Sequence, residues 1–238
     1  MGLRGKTVLV TGASGAIGSA IVRAAKLQGA WVAGTYHNHR PTPQECPADL
    51  LEPVDVRSKT SVTQWVAKCL AHNGQIDGLV TSAGNVQDHT LVKLTDADWD
   101  DVLQTHLTGT FNTLQAVLPA MQYHRLGKII TVISQAGIHG RFGQTNYAAA
   151  KAGIIGLTRS AAKELGEWGI EVNMICPGFT PSRMTEAVPP EGWERARNAS
   201  VMGMLGDAEV LANLTLWLLS DDCRGISGQI FYADSRMQ

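Results

Sequence analysis

The first 27 residues constrain this chain more than any other stretch. Lys6-Thr7-Val8-Leu9-Val10 is a short apolar, β-branched run, which reads as a buried strand. Thr11-Gly12-Ala13-Ser14-Gly15-Ala16-Ile17-Gly18 follows at once, and a helical pattern then runs to about Leu27. Gly12 allows a tight turn, and Gly18 lets the helix pack close to the strand. The backbone N–H groups of Ser14 to Ile17 then stand at a helix N-terminus, a natural site for a pyrophosphate. A strand before the turn and a helix after it set this apart from an ordinary glycine-rich loop.

The alternation continues along the chain. Residues 31–35, a short stretch at Val54, and residues 76–81, 128–133, 171–175 and 229–232 read as further strands. Residues 59–73, 98–123, 146–167 and 207–220 read as helices, and 37–53 as a polar, proline-rich loop. Such alternation implies an α/β fold: a parallel sheet with right-handed crossovers and helices on both faces. A chain of 238 residues fits one such domain, and neither a repeat nor a linker interrupts it. The net charge of −1 argues against a nucleic-acid surface, and no apolar run reaches membrane-spanning length. Residues 1–6 lead straight into the first strand, leaving no room for a signal peptide. Cys46, Cys69, Cys176 and Cys223 form no CxxC, which suits reduced thiols in the cytoplasm.

Chemistry enters at Asn146-Tyr147-Ala148-Ala149-Ala150-Lys151. In a helix, residues four apart share a face, so a phenol and an ammonium lie side by side. A positive charge near a tyrosine favours the phenolate and draws its pKa down from about 10. Such a pair can pass a proton to or from a carbonyl or alcohol.

Together these residues resemble the short-chain dehydrogenase/reductase family. The likeness rests on Thr11-Gly12-x-x-x-Ala16-Ile17-Gly18, on Ser134, on Tyr147-x-x-x-Lys151 thirteen residues later, and on Pro177-Gly178. It covers essentially the whole chain and is strongest toward 3-oxoacyl-carrier-protein reductases, through residues 146–156 and 170–179. The resemblance implies a Rossmann-type doubly wound sheet of about seven strands, with residues 180–206 as a substrate lid. It implies catalysis by Ser134, Tyr147 and Lys151, in which Tyr147 exchanges the proton, Ser134 positions the substrate oxygen, and Lys151 also holds the nicotinamide ribose.

The implied cofactor cradle comprises Gly12, Ser14, Gly15, Ala16, Ile17 and Gly18, then Asp55 and Val56 at the adenine, and Ser82, Ala83 and Gly84 after the fourth strand. Pro177, Gly178, Thr180 and Ser182 are implied at the nicotinamide. Where NAD-using relatives carry an acidic residue, this chain has Tyr36, with His37 and Arg40 close behind, which favours NADP over NAD. Against this, Gly15 stands where NADP-using relatives often carry a basic residue. His37 and His39 are too few for a metal site.

The chain departs from the family pattern in several places. His106, in His106-Leu107-Thr108-Gly109, replaces an asparagine that helps return protons to the lysine; it reads as a relay or as a core histidine. Ser82 replaces an asparagine that ties neighbouring strands. Arg125 keeps one of the basic positions that dock acyl carrier protein, but Trp168 and Met204 stand where other arginines would be. Asp234-Ser235-Arg236 replaces a common Gly-Gly pair. The expected substrate contacts are Gln135, Met184, Trp193 and Met204, with Met202 and Leu205 adding to an apolar lid that suits a chain-like or bulky substrate. The first reading is an NADPH-dependent reductase of a 3-oxoacyl thioester, linked to acyl carrier protein or to coenzyme A. The alternatives are an oxidoreductase of a free alcohol or ketone, and a catalytically impaired NADP-binding protein. The resemblance also implies a homotetramer.

Overall fold

In the computed structural model, which describes residues 2–236, the chain opens with β1 (Thr7–Thr11), α1 (Ala16–Leu27), β2 (Trp31–Tyr36) and β3 (Leu50–Pro53). It continues with α2 (Lys59–Asn73), β4 (Gly78–Thr81), α3 (Asp96–Leu103), α4 (Gly109–His124) and β5 (Gly127–Val132). The last half holds α5 (Ala136–His139), α6 (Thr145–Leu165), β6 (Ile170–Pro177), α7 (Pro190–Asn198), α8 (Ala208–Leu219) and β7 (Ile230–Ala233).

The seven strands form one sheet in the order β3-β2-β1-β4-β5-β6-β7, with every neighbour parallel. The central strands β1, β4 and β5 are buried along their whole length, as helices on both faces require. Val8, Val10, Ile130 and Ile175 pack one face against α1 and α8, with Ile21, Leu211, Leu216 and Leu219. Leu9, Leu79, Ile129 and Val172 pack the other face against α2 and α4, with Trp65, Leu114, Val117 and Met121. The chain leaves β1 toward β2 on one side and resumes with β4 on the other. A crevice therefore opens at the carboxyl ends of β1 and β4.

Three local differences from the sequence expectations have physical causes. The third strand is Leu50–Pro53, ahead of Val54, inside the expected loop. Asp49 draws it in, accepting from Lys26 Nζ and from Val32 N at 2.7 Å each. Pro53 is tolerated because β3 is the sheet edge. The helix expected over 98–123 starts at Asp96, behind a Thr95–Asp98 capping box, and is broken by a π-turn at Gln104–Thr108. α5 and α7 were not anticipated; α7 begins on Pro190, whose fixed φ suits a first helical position.

Candidate active site

Two cavities, of about 640 and 520 Å³, lie at the crevice and share walls at Gly15, Ala16, Ser82, Gly84, Ser182 and Met184. They form one elongated cleft along the carboxyl ends of the strands.

The glycine turn shapes the centre of that cleft. Gly12 has φ +66°, and a Cβ there would lie 2.6 Å from Ala83 Cα. A Cβ on Gly18 would lie 2.3 Å from Gly12 O, so only glycine allows α1 to approach β1 this closely. Gly15 caps α1 without a side-chain hydrogen bond, and the first turn has no acidic residue. The N-terminus of α1 is therefore free to receive an anion, with Ala16, Ile17 and Gly18 on the cavity wall. Ser82 Oγ donates to Thr11 O at 2.6 Å, so a serine ties β4 to β1 where the family pattern has asparagine.

The smaller cavity is lined by Tyr36, His37, Asn38, His39, Asp55, Val56 and Arg57. No carboxylate stands at the end of β2. Asp55 is held instead by Arg57, which donates to it from Nε and Nη2 at 2.9 Å, and this pairing draws the Asp55 pKa down. Asn112 of α4 donates to Val56 O at 3.0 Å and fixes the strip from behind. Arg40 lines neither cavity. Among the described residues no cluster of three metal-ligating side chains occurs.

The larger cavity gathers Ser134, Gln135, Tyr147, Lys151, His106, Pro177, Gly178, Thr180 and Met184. Ser134 follows β5, and Tyr147 and Lys151 lie on consecutive turns of α6. The start of α6 is pinned by Asn146, which is fully buried: its Nδ2 donates to Gln87 O and Asp98 O at 3.1 Å each, and its Oδ1 accepts from Tyr147 N at 2.8 Å. The motif contained this residue, but its clamping role depends on distant carbonyls.

Lys151 is buried, donates from Nζ to Val132 O at 2.7 Å, and lies 5.6 Å from the centre of the Tyr147 ring. Desolvation lowers its pKa from 10.5 to about 8. The expected depression of the tyrosine is not found. Burial pushes Tyr147 up to about 12, against a smaller opposing effect of the Ser134 hydroxyl. The phenol thus holds its proton through neutrality.

His106 is buried on the π-turn. Its Nε2 lies 2.8 Å from Asn85 O and 3.2 Å from Asn85 N, so either tautomer finds a backbone partner. Its Nδ1 has no hydrogen-bond partner among the described residues. The ring stands edge-on to Tyr147, with centroids 5.1 Å apart. Burial, reinforced by the charge of Lys151, lowers the His106 pKa to about 3, so the imidazole is neutral at physiological pH. Gly84 makes room for it, since a Cβ there would lie 2.3 Å from His106 Cε1.

Two expected substrate contacts stand off the cavity wall. Trp193 packs edge-on against Phe179 at 4.9 Å and donates to Val188 O at 3.0 Å. Met204 is largely exposed. The wall also includes Arg141, Phe142 and Arg195, which no sequence motif singled out, and Arg236, from the stretch that replaces a common Gly-Gly pair.

A family profile described as enoyl-(acyl carrier protein) reductase matches residues 12–237. The chain belongs to the short-chain dehydrogenase/reductase family. It is accordingly an oxidoreductase acting on CH–OH groups. Among curated members of this family, the 3-oxoacyl-(acyl-carrier-protein) reductase FabG of Thermotoga maritima is 38% identical, covering 98% of each chain. The protein of the same name from Escherichia coli is 36% identical, over 100% of this chain and 99% of its own. The Haemophilus influenzae protein is 35% identical over 98% of each. No helix among the described residues is long and apolar enough to cross a membrane.

Proposed function

We propose that this protein is an NADPH-dependent ketoreductase that converts a 3-oxoacyl thioester, carried by acyl carrier protein or coenzyme A, to its 3-hydroxyacyl form. The observation that carries this reading is the convergence of Ser134, Tyr147 and Lys151 on one cavity continuous with the α1 N-terminus. Full-length similarity to three 3-oxoacyl reductases supports the thioester over a free ketone.

The cradle fits a dinucleotide. The α1 N-terminus and the Gly12 turn would take the pyrophosphate, and Asp55 and Val56 would lie at the adenine. Tyr36, His37 and Arg57 stand at the smaller cavity, with no carboxylate from β2 to repel a 2′-phosphate, which supports NADP. A bound nicotinamide cofactor supplies the hydride. The protein's own part is to hold the ketone and move the proton. Ser134 donates a hydrogen bond to the substrate oxygen as charge develops there. Tyr147, protonated through neutrality, donates its phenolic proton to that oxygen. Lys151, fixed by Val132 O, places a positive charge behind the phenol and stabilises the phenolate left after transfer. Neutral His106 orders the region through hydrogen bonding rather than by taking up a proton.

Residues 180–206, with Arg183 bound to Ser14 O at 2.6 Å, act as the substrate lid of a single domain. We place the protein in the cytoplasm as a homotetramer. The four free, buried cysteines fit a reducing compartment. The test is steady-state turnover of acetoacetyl-CoA with NADPH, repeated with NADH and with free ketones. Preference for NADPH and the thioester is expected. Turnover of free ketones alone contradicts the substrate assignment.

A further inference from the structure

Three arginines reach the larger cavity from separate stretches of chain: Arg141 after α5, Arg195 on α7 and Arg236 beyond β7. Among the described residues the only carboxylate on that wall is Asp88, which accepts from Gln144 Nε2 at 2.8 Å. Neither Arg141 nor Arg195 has an ion-pair partner among the described residues. Arg236 is built into the wall. Asp234, whose side chain is 6% exposed, accepts from Arg236 Nε at 2.6 Å. The same Asp234 oxygen accepts from Gln135 Nε2 at 2.6 Å, so one carboxylate ties Arg236 to the residue beside Ser134. The terminal nitrogens of Arg236 have no hydrogen-bond partner among the described residues. A guanidinium fixed through one N–H, with its fork unengaged, is suited to a planar or tetrahedral anion.

We infer that the substrate presents an anionic group, phosphate or carboxylate, to Arg236, with Arg195 and Arg141 adding positive charge at the mouth. This rests on the reading of the cavity as a ketone-reduction site. Two sources share the chemistry: the phosphate of a pantetheine arm on the thioester side, and a carboxylate at the far end of the acyl chain.

The test is calorimetric binding to the full chain with saturating NADP, using four ligands. These are 3-hydroxybutyryl-pantetheine, its 4′-phosphate, the 3-hydroxyglutaryl monothioester of pantetheine, and that compound's methyl ester. The phosphate or the carboxylate should strengthen binding by about tenfold over its neutral counterpart. Whichever does so names the source. Arg236→Gln should remove most of that preference, Arg236→Lys should keep part of it, and Arg195→Gln, on a separate element, should weaken it. Equal binding of charged and neutral ligands, binding of none, or a preference that survives Arg236→Gln overturns the inference. A preference lost in Arg236→Gln without ketone turnover keeps the anion site and removes the reductase reading. Turnover without the preference does the reverse.

Discussion

Tyr147 and Lys151 lie one helical turn apart, and burial reverses the order in which they lose protons. Lys151 titrates at about 8 and Tyr147 at about 12, whereas free in water the phenol would go first. In the reducing direction, kcat/KM should hold level below pH about 8 and fall above it as Lys151 loses its charge. A falling limb that survives Lys151→Met contradicts this assignment. Tyr147→Phe should lower kcat by about 10²–10⁴-fold while cofactor binding persists, as measured by turnover and nucleotide titration. His106 supplies a packing test. Gly84→Ala should destabilise the fold by about 1–3 kcal/mol, because its Cβ meets the imidazole, and a second change, His106→Ser, should restore much of that loss in a double-mutant cycle of melting temperatures. The acid side follows from the same residue. His106 falls from 6.5 to about 3 on folding, so below 6.5 the unfolded chain binds the extra proton and stability drops as pH falls toward 3. His106→Asn should flatten that arm in denaturation curves taken across this window; an unchanged arm contradicts a neutral buried imidazole. None of this was visible in the spacing of residues. Tyr147 and Lys151 were legible because i,i+4 geometry is local, whereas their pKa values depend on burial by elements far away in sequence.

Elements were legible where periodicity was long and hidden where it was short. α2 spans Lys59–Asn73, the same residues its pattern predicts, because Ser58 caps its start and Gly74, at φ +76°, ends it. β3 escaped because four residues among prolines carry no period, and the Asp49 contacts that recruit it are tertiary. The π-turn at Gln104–Thr108 escaped because its strand of apolar positions continues helically on both sides. Ser82 stands where the family pattern has the asparagine that ties neighbouring strands, and its hydroxyl keeps that tie, joining β4 to β1 at 2.6 Å. Ser82→Ala should therefore cost about 0.5–1.5 kcal/mol in chemical denaturation, and a neutral result contradicts the tie.

At the scale of the molecule, parallel topology decides where chemistry can occur. The strand order reverses at β1 and β4, so the glycine turn, the smaller cavity and the Ser134–Tyr147–Lys151 wall meet along one cleft. That much follows from motif order in the sequence. The basic character of the substrate end does not, because Arg141 and Arg195 belong to no motif, Arg236 stands out in the sequence only as a departure from a Gly-Gly pair, and the three converge only through the fold. The most direct test of the account is product formation. Purified protein should convert acetoacetyl-CoA to 3-hydroxybutyryl-CoA as NADPH is consumed, and Tyr147→Phe should nearly abolish that conversion. Conversion at the wild-type rate by Tyr147→Phe, or none by the wild type with this or any other 3-oxoacyl thioester, would contradict the assignment of this cleft as a ketoreductase site.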